Sequence, residues 1–437
     1  MVTRMRYFAV TGHPVGHSKS PDLFRGAYPG REEMFAYFRL AVTSAEEANE
    51  LFQELNLDGM NITAPFKGAE HWDFESCDQV VKQLGQGNML WRTDEGIRLG
   101  NTDVEGGRGA LEASGVVLQG KRCLVVGAGG AGRAAVYALQ RAGADVIVIN
   151  RTKDKARQVA RDFGVTIGDW TQLEFAVSQS DVVINTLYAW VDCFQTAWFR
   201  EDQVILEAAY VGSMLREKVL RAGCRYIDGR QWLLHQGIPA YRCFTGEEPD
   251  RWSMEQALTE LVAPPIHVAF VGFMGAGKST VAPLVAGALG ISCVDTDREL
   301  ERRLGYSVPE IMQKYGESYF REQEQLLMKE LLENKKPSVI ACGGGVVLSS
   351  ETRQLLRQRS FVVWLYVRPE ICVSRIEVAT RPLLAGEITP EEKACHLFGE
   401  RKSYYATVAD LVVSGNERSV EELKQLIYEE VRAACNL

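Results

Sequence analysis

Short apolar runs recur along the 437-residue chain, most of them followed by a segment with helical spacing. Tyr7–Val10, Arg122–Val126, Asp145–Ile149, Asp181–Ile184, Val204–Glu207, His267–Val271, Val339–Ala341 and Phe361–Val367 are strand-length and rich in β-branched and aliphatic residues. Between them, Ala131–Arg141, Lys153–Phe163, Lys278–Leu289 and Tyr319–Glu333 repeat apolar residues at helical intervals. Strands alternating with helices predict parallel sheets covered by helices, an α/β fold. The length predicts two or three domains rather than one core. The Val262-Ala263-Pro264-Pro265 stretch is the best boundary, since consecutive prolines stop a helix and stiffen the join.

Composition narrows the class. Hydrophobic residues are 46% and charged residues 24%, the balance of a soluble globular protein. A net charge of −8 argues against a nucleic-acid partner, which would call for a basic surface. No apolar stretch reaches transmembrane length, so no membrane role is expected. The N-terminus enters a strand-like run without a signal-peptide core, and a cytoplasmic location is expected. The ten cysteines stand singly, without a C-x-x-C pair, which predicts reduced thiols rather than disulfides or a structural metal site. No motif encodes an oligomeric state.

Two glycine-rich loops carry the first chemistry. After Arg122–Val126 comes Gly127-Ala128-Gly129-Gly130-Ala131-Gly132-Arg133, a G-x-G-x-x-G between a strand and a helix. Gly127, Gly129, Gly130 and Gly132 let the backbone turn tightly and approach a pyrophosphate, which the helix N-terminus then meets with N–H groups. The next strand ends in Asn150-Arg151-Thr152-Lys153, with no carboxylate for a ribose 2′-hydroxyl. Arg151, Thr152 and Lys153 can instead hold a 2′-phosphate, which favours NADP over NAD. The alternative is that Arg151 and Lys153 merely begin a solvated helix. The second loop, Gly272-Phe273-Met274-Gly275-Ala276-Gly277-Lys278-Ser279-Thr280, is a complete G-x-x-x-x-G-K-[ST]. Around Gly275 and Gly277 the backbone would cradle the phosphates of a nucleoside triphosphate, with Lys278 reaching the outer oxygens. Ser279, followed by Thr280, would take Mg²⁺.

Polar clusters surround both loops. Before the first stand Gly16-His17-Ser18-Lys19-Ser20-Pro21, Asn61-Ile62-Thr63-Ala64-Pro65-Phe66-Lys67, Gly87-Asn88 and Gly100-Asn101-Thr102-Asp103. Such hydroxyls and amides suit a small, hydroxyl-rich, anionic substrate, and a lysine with an aspartate suits the proton transfer that accompanies hydride transfer. A solvated loop lysine is the alternative for Lys67. Beyond the second loop stand Asp295-Thr296-Asp297, where one carboxylate can hold Mg²⁺ through water and the other can orient a hydroxyl. Phe320-Arg321 with Glu324 places an arginine and a glutamate on one helical face. Gly343-Gly344-Gly345 offers bare backbone to a ligand. Their alternatives are a helix cap, a surface ion pair and a flexible turn.

The order H-S-K-S-P, N-x-T-x-P-F-K, N-T-D and G-A-G-G-A-x-R, with the tail Leu234-His235-Gln236-Gly237, resembles shikimate dehydrogenase over roughly residues 7–260. That resemblance implies that Ser18 and Ser20 bind the substrate carboxylate. Asn88, Thr63, Asp103 and Gln236 would contact ring hydroxyls, and Lys67 beside Asp103 would be the acid–base residue. NADPH would reduce 3-dehydroshikimate to shikimate. Over roughly 266–433 the order D-T-D, F-R-x-x-E, G-G-G, R-P-L-L and E-R-x-x-x-Y resembles shikimate kinase. Asp297, Arg321, Gly344, Gly345 and Arg401 would hold shikimate, Asp297 beside its reacting hydroxyl. Arg381 would sit on a closing lid and steady the transferring phosphoryl group, Arg375 would stack on adenine, and Asp295 would join Ser279 at Mg²⁺. The implied architecture is a substrate-binding lobe at 1–110 completed by 235–262, a Rossmann NADP lobe at 111–234, and a P-loop kinase with a parallel sheet at 266–437.

The chain departs from the dehydrogenase pattern in places. Gly87-Asn88-Met89 replaces the usual Val-Asn-Thr, and Asn185-Thr186-Leu187-Tyr188-Ala189-Trp190 is bulky where small residues are usual near the nicotinamide. Asp228-Gly229-Arg230-Gln231-Trp232-Leu233-Leu234-His235-Gln236 keeps its pattern in part. Two alternatives stay open on this ground: an active kinase with a shikimate-binding but degenerate dehydrogenase module, or a quinate-preferring dehydrogenase half.

Overall fold

A computed structural model describes residues 4–31, 34–260, 265–378, 382–384 and 388–435. It divides into two compact units, one of residues 1–21, 30–60 and 261–437, the other of 22–29 and 61–260.

The second unit contains a six-stranded parallel sheet. Its order is Arg225–Ile227, Val204–Glu207, Val182–Asn185, Arg122–Val126, Asp145–Ile149, Thr166–Ile167. Chain order reverses beside Arg122–Val126, so the crevice at that strand's C-terminal end is the switch point where a doubly wound sheet binds a nucleotide. Both faces of the sheet are covered, with Leu124, Val126 and Val183 on one side and Val125, Val148 and Ile184 on the other. That two-sided burial is why these strands read as continuous apolar runs. An antiparallel hairpin, Met89–Thr93 with Gly96–Gly100, leads into the helix Asp103–Ala113. This helix packs on Gly229–Thr245, and the approach is close. A Cβ on Gly106 would lie 2.5 Å from Trp232 and 3.0 Å from the Cβ of Gln236.

The first unit holds seven parallel strands. Their order is Ser292–Asp295, Ser338–Ala341, His267–Val271, Ser360–Tyr366, Leu411–Ser414, Phe35–Ala41, Arg6–Gly12. Five of these strands come from the C-terminal part of the chain. The other two come from its start, with Leu411, Val412 and Val413 in register with Arg39, Leu40 and Ala41. Left alone, Leu411–Ser414 would present an unpaired edge; Phe35–Ala41, buried at all seven positions, satisfies it. The helix boundaries follow capping chemistry. Asp228 caps Gly229–Thr245, Asp295 caps Thr296–Leu304, and Thr389 with Glu392 forms a capping box on Pro390–Val408.

Candidate functional site

The P-loop closes around Lys278. Gly272, Gly275 and Gly277 take φ of +144°, +78° and +97°, backbone that a side chain would strain. Lys278, 7% exposed, donates to the carbonyls of Gly272 at 2.8 Å and Phe273 at 2.9 Å. Burial pulls its pKa down, opposed by the carboxylates of Asp297 and Asp295. A cavity of about 530 Å³ opens from the loop and is lined by Gly275, Gly277, Lys278, Ser279, Thr280, Asp295, Asp297, Arg321, Glu324, Gly344, Gly345, Arg375 and Arg401.

Around Arg321 the wall of that cavity is built by hydrogen bonds and close contacts. Arg321 Nη1 donates to Glu324 Oε2 at 2.8 Å, and its guanidinium lies so flat on Gly345 that a Cβ there would meet Nη1 at 2.3 Å. A Cβ on Gly343 would meet Asp297 Oδ1 and Glu324 Oε1, each at 2.7 Å. Burial raises the Glu324 pKa, and the Arg321 guanidinium opposes that rise. Arg401 Nη1 and the Tyr405 hydroxyl both donate to the Gly344 carbonyl, at 3.4 and 2.6 Å. The Thr296 hydroxyl accepts from Gly343 N at 2.8 Å. Asp295 Oδ1 accepts from the N–H groups of Asp297 and Arg298, so this carboxylate caps its helix while lining the cavity. Arg375 is held by the carbonyls of Gly415 and Asn416. Arg381 lies outside the described residues, as do positions 262–264 of the expected boundary. Among the described residues, no group of three or more His, Cys, Asp or Glu could hold a metal ion. The hard oxygen donors Ser279 and Asp295 beside a phosphate cradle do fit Mg²⁺, which keeps most of its waters and leans on substrate phosphates.

In the second unit Lys67 Nζ donates to Asp103 Oδ2 at 2.6 Å. Asp103 is nearly buried, and its Oδ1 accepts from Asn88 Nδ2 at 3.1 Å. Asn88 Oδ1 in turn accepts from Thr102 N at 2.8 Å, and Asn101 Oδ1 accepts from Asp103 N at 3.0 Å. Asn101 and Thr102 thus fix the aspartate, a role their place in N-T-D did not reveal. Thr63 is half-buried and its carbonyl closes the turn to Phe66 N at 3.1 Å. Gln236 is half-buried on the helix against Gly106. Lys67 Cδ lies 2.9 Å from where a Cβ on Gly130 would stand, which brings the lysine to the glycine loop.

That loop is shaped for a dinucleotide. A Cβ on Gly132 would sit 2.1 Å from the Gly127 carbonyl, while around Gly129 nothing lies within 4 Å, leaving the approach open. Asn150 Oδ1 accepts from Ala128 N at 3.2 Å, tying the loop to the next strand. Arg151 and Thr152 are exposed beside it. Lys153 is engaged elsewhere, bonded to Asp169 at 2.9 Å, a partner that sequence spacing did not suggest.

Two of the departures have local explanations. A Cβ on Gly87 would strike Leu99 Cδ1 at 2.5 Å, so the leucine fills the space of the usual valine. In Leu187–Trp190 only the two aromatic rings are turned outward; Leu187 is half-buried, with Cδ2 3.4 Å from where a Cβ on Gly127 would stand. Tyr188 and Trp190 stack with centroids 4.4 Å apart and planes 7° apart, and are 61% and 73% exposed. Thr186, which faces Gly127, donates its hydroxyl to the Val126 carbonyl at 3.0 Å.

Ser18 and Ser20 belong to the first unit. Both are buried, and Ser18 Oγ accepts from Ser20 N at 3.3 Å. The Ser18 carbonyl accepts from Arg39 Nε at 3.1 Å and Nη2 at 2.6 Å.

Fold and sites thus define a chain with two nucleotide-dependent centres, one on a Rossmann sheet and one on a P-loop. Family models match successive segments of the chain. "Shikimate dehydrogenase substrate binding domain" matches 10–89, "Shikimate / quinate 5-dehydrogenase" matches 110–202, and "Shikimate kinase" matches 274–432. A shikimate dehydrogenase (NADP(+)) of Anaeromyxobacter sp. (strain K) is 32% identical over 272 residues, 59% of this chain and 98% of the relative. One from Halobacterium salinarum is 34% identical over 263 residues, 58% and 98% respectively. The Thermus thermophilus shikimate 5-dehydrogenase structure with NADP(H) and shikimate matches with TM-score 0.53 and 28% identity over 58% of this chain and 99% of that one. The Mycobacterium tuberculosis shikimate dehydrogenase structure matches with TM-score 0.52 and 31% identity over 58% and 98%. The chain belongs to the shikimate dehydrogenase family and continues into a C-terminal shikimate kinase domain. Among the described residues no helix is long and apolar enough to cross a membrane.

Proposed function

We propose that the chain catalyses two consecutive steps of the shikimate pathway, the NADPH-dependent reduction of 3-dehydroshikimate to shikimate and the ATP-dependent phosphorylation of shikimate to shikimate 3-phosphate. The observation that carries this reading is the co-occurrence, in one chain, of a Lys67–Asp103 pair lying against a dinucleotide loop and a P-loop cavity that is also lined by Arg321 and Arg401. The kinase half consumes what the dehydrogenase half makes.

In the first reaction bound NADPH supplies the hydride. Lys67 gives the proton that the carbonyl oxygen needs as it becomes a hydroxyl, and Asp103 stabilises the ammonium before transfer. Asn88 keeps Asp103 turned toward the lysine, Thr63 and Gln236 address ring hydroxyls, and Ser18 and Ser20 take the carboxylate. Gly127, Gly129, Gly130 and Gly132 admit the pyrophosphate, with Asn150 bracing the loop and Arg151 and Thr152 meeting the 2′-phosphate. In the second, Lys278 leaves its loop carbonyls for phosphate oxygens, and Ser279 with Asp295 would hold Mg²⁺, which neutralises phosphate charge. Gly275, Gly277 and Thr280 line the phosphates, and Arg375 flanks the base. Asp297 accepts the proton of the attacking hydroxyl, while Arg321, Arg401, Gly344 and Gly345 fix shikimate, with Arg381 assigned to the phosphoryl group. The catalytic modules would span 1–110 with 235–262, 111–234 and 266–437. A reducing, cytoplasmic setting belongs to the same reading, and the ten cysteines, all free thiols, support it.

The test follows NADPH loss and ADP formation together. Purified protein given 3-dehydroshikimate and NADPH should consume NADPH alone, and should form ADP once Mg·ATP is added. Failure to consume NADPH, with ADP still formed from added shikimate, would return the degenerate-dehydrogenase alternative. A higher kcat/KM on dehydroquinate than on dehydroshikimate would return the quinate one.

A further inference from the structure

The loop that carries Ser18 and Ser20 is held by a residue far away in sequence. Glu430 lies within the segment matched by the kinase model, on the helix Val420–Cys435. Its side chain is fully buried and its carboxylate points at the loop of the segment matched by the dehydrogenase substrate-domain model. Val15 N donates to both oxygens, at 3.1 and 2.9 Å, and Gly16 N donates to Oε2. The fit extends to the backbone, since a Cβ on Gly16 would stand 2.1 Å from the Glu430 carbonyl oxygen. Two residues on, Ser18 N donates back to the Val15 carbonyl at 2.9 Å, so the peptide held by Glu430 is the one that closes the turn presenting Ser18. At the turn's other end Arg39 grips the Ser18 carbonyl and also reaches the Asp410 carbonyl at 3.4 Å.

We propose that Glu430, carried by the kinase part of the chain, is a positioning residue for the dehydrogenase reaction: by fixing Val15 and Gly16 it sets the backbone from which Ser18 and Ser20 receive the substrate carboxylate. The inference rests on the assignment of those serines to the carboxylate. A carboxylate is a costly way to attach a loop, because burying it forfeits its hydration, and a well-packed apolar residue would attach the loop at less cost. Burial pushes its carboxyl up to about 7, against the two backbone donors and Arg39, with Glu429 pushing further up and His13 Nδ1 at 3.9 Å. What the carboxylate provides and an apolar residue does not is two directed acceptors for adjacent N–H groups, which fix the orientation of both peptides.

The decisive experiment is steady-state oxidation of shikimate by NADP⁺ with the full chain, alongside its methyl ester, which lacks the carboxylate charge. Glu430→Gln should raise KM for shikimate about tenfold, the cost of losing one charge-assisted bond, with kcat nearly unchanged. On the methyl ester the variant and the parent should share one KM, and kinase kcat and KM values should stay put. Gly16→Ala, which displaces the same loop from the opposite side, should reproduce the split. An unchanged KM in Glu430→Gln, an equal penalty on acid and ester, or a parallel fall in both activities would each overturn the proposal; the last would reveal a purely structural contact. Ser18→Ala keeps the two layers apart. If it raises KM for shikimate and Glu430→Gln does not, Glu430 alone is wrongly assigned; if Ser18→Ala changes nothing, the serine assignment falls and this inference with it.

Discussion

Two lysines stand at the two centres, and the protein holds them differently. Lys67 donates to a carboxylate, Asp103, whose second oxygen is locked by Asn88. Lys278 donates to two neutral carbonyls of its own loop, with Asp295 and Asp297 lining the same cavity. The difference matches the tasks proposed for them. A residue that hands a proton to a substrate oxygen gains from a fixed anion that stabilises its charged form and orients it. A residue that must turn to phosphate oxygens is better left on acceptors it can exchange at small cost, because pulling an ammonium off a buried carboxylate leaves an uncompensated charge.

Separate substitutions should therefore separate the activities. Lys67→Ala should lower dehydrogenase kcat about 10²- to 10⁴-fold, the range of a lost general acid, while ADP formation from added shikimate continues. Lys278→Ala should lower kinase kcat about 10²- to 10³-fold and leave NADPH consumption untouched. Either lysine affecting both reactions would break the comparison. The third contrast is pH-dependent and concerns Glu430. Its carboxyl titrates near 7 folded against an ordinary 4.5, so between those values the folded chain binds more protons than the unfolded one. The stability it contributes is therefore present below about pH 4.5 and lost as pH rises to 7, on the order of 3 kcal/mol in all. Measured from pH 5 to 8, the Tm of the parent should fall relative to that of Glu430→Gln. Parallel Tm profiles would mean that Glu430 titrates normally.

What could be read in the chain alone was local. Arg122–Val126, Asp145–Ile149 and His267–Val271 take the bounds that their apolar runs suggest, and Lys153–Phe163 and Lys278–Leu289 take the bounds of their helical spacing. Each of these is decided within a dozen residues, by periodicity and, for all but Asp145–Ile149, by a glycine just after the end. Phe35–Ala41 was illegible because Arg39 interrupts its apolar run, and its pairing with Leu411–Ser414 joins segments at opposite ends of the sequence. The Lys67–Asp103 pair depends on a fold that no spacing encodes. Glu430 did leave a signal. It continues the stripe Leu423, Leu426, Ile427, Val431 at helical intervals, on the buried face where a glutamate needs a partner.

Two smaller contrasts sharpen the dehydrogenase side. If Leu99 has taken the space of the valine usual at position 87, Gly87→Val should cost about 1–3 kcal/mol of stability through overpacking. Combined with Leu99→Ala it should cost less than the two single changes summed, a coupling that a thermal double-mutant cycle reads directly. Additive costs would mean that the two positions do not share that space.

The aromatic pair should matter least. Tyr188 and Trp190 stack on each other and face solvent, so what they stabilise is mainly their own loop, by about 0.5–1.5 kcal/mol. Trp190→Ala should lower Tm slightly and leave kcat and KM for NADPH within about threefold, as surface substitutions usually do. Sequence bulk near a nicotinamide suggests a blocked or rebuilt cofactor site, whereas outward-turned rings leave the edge beside Gly127 to Thr186 and Leu187. A drop of tenfold or more in kcat/KM for NADPH would mean that the rings fold onto the cofactor when it binds. The dehydrogenase centre would then share with the kinase lysine the habit of waiting in one arrangement and working in another.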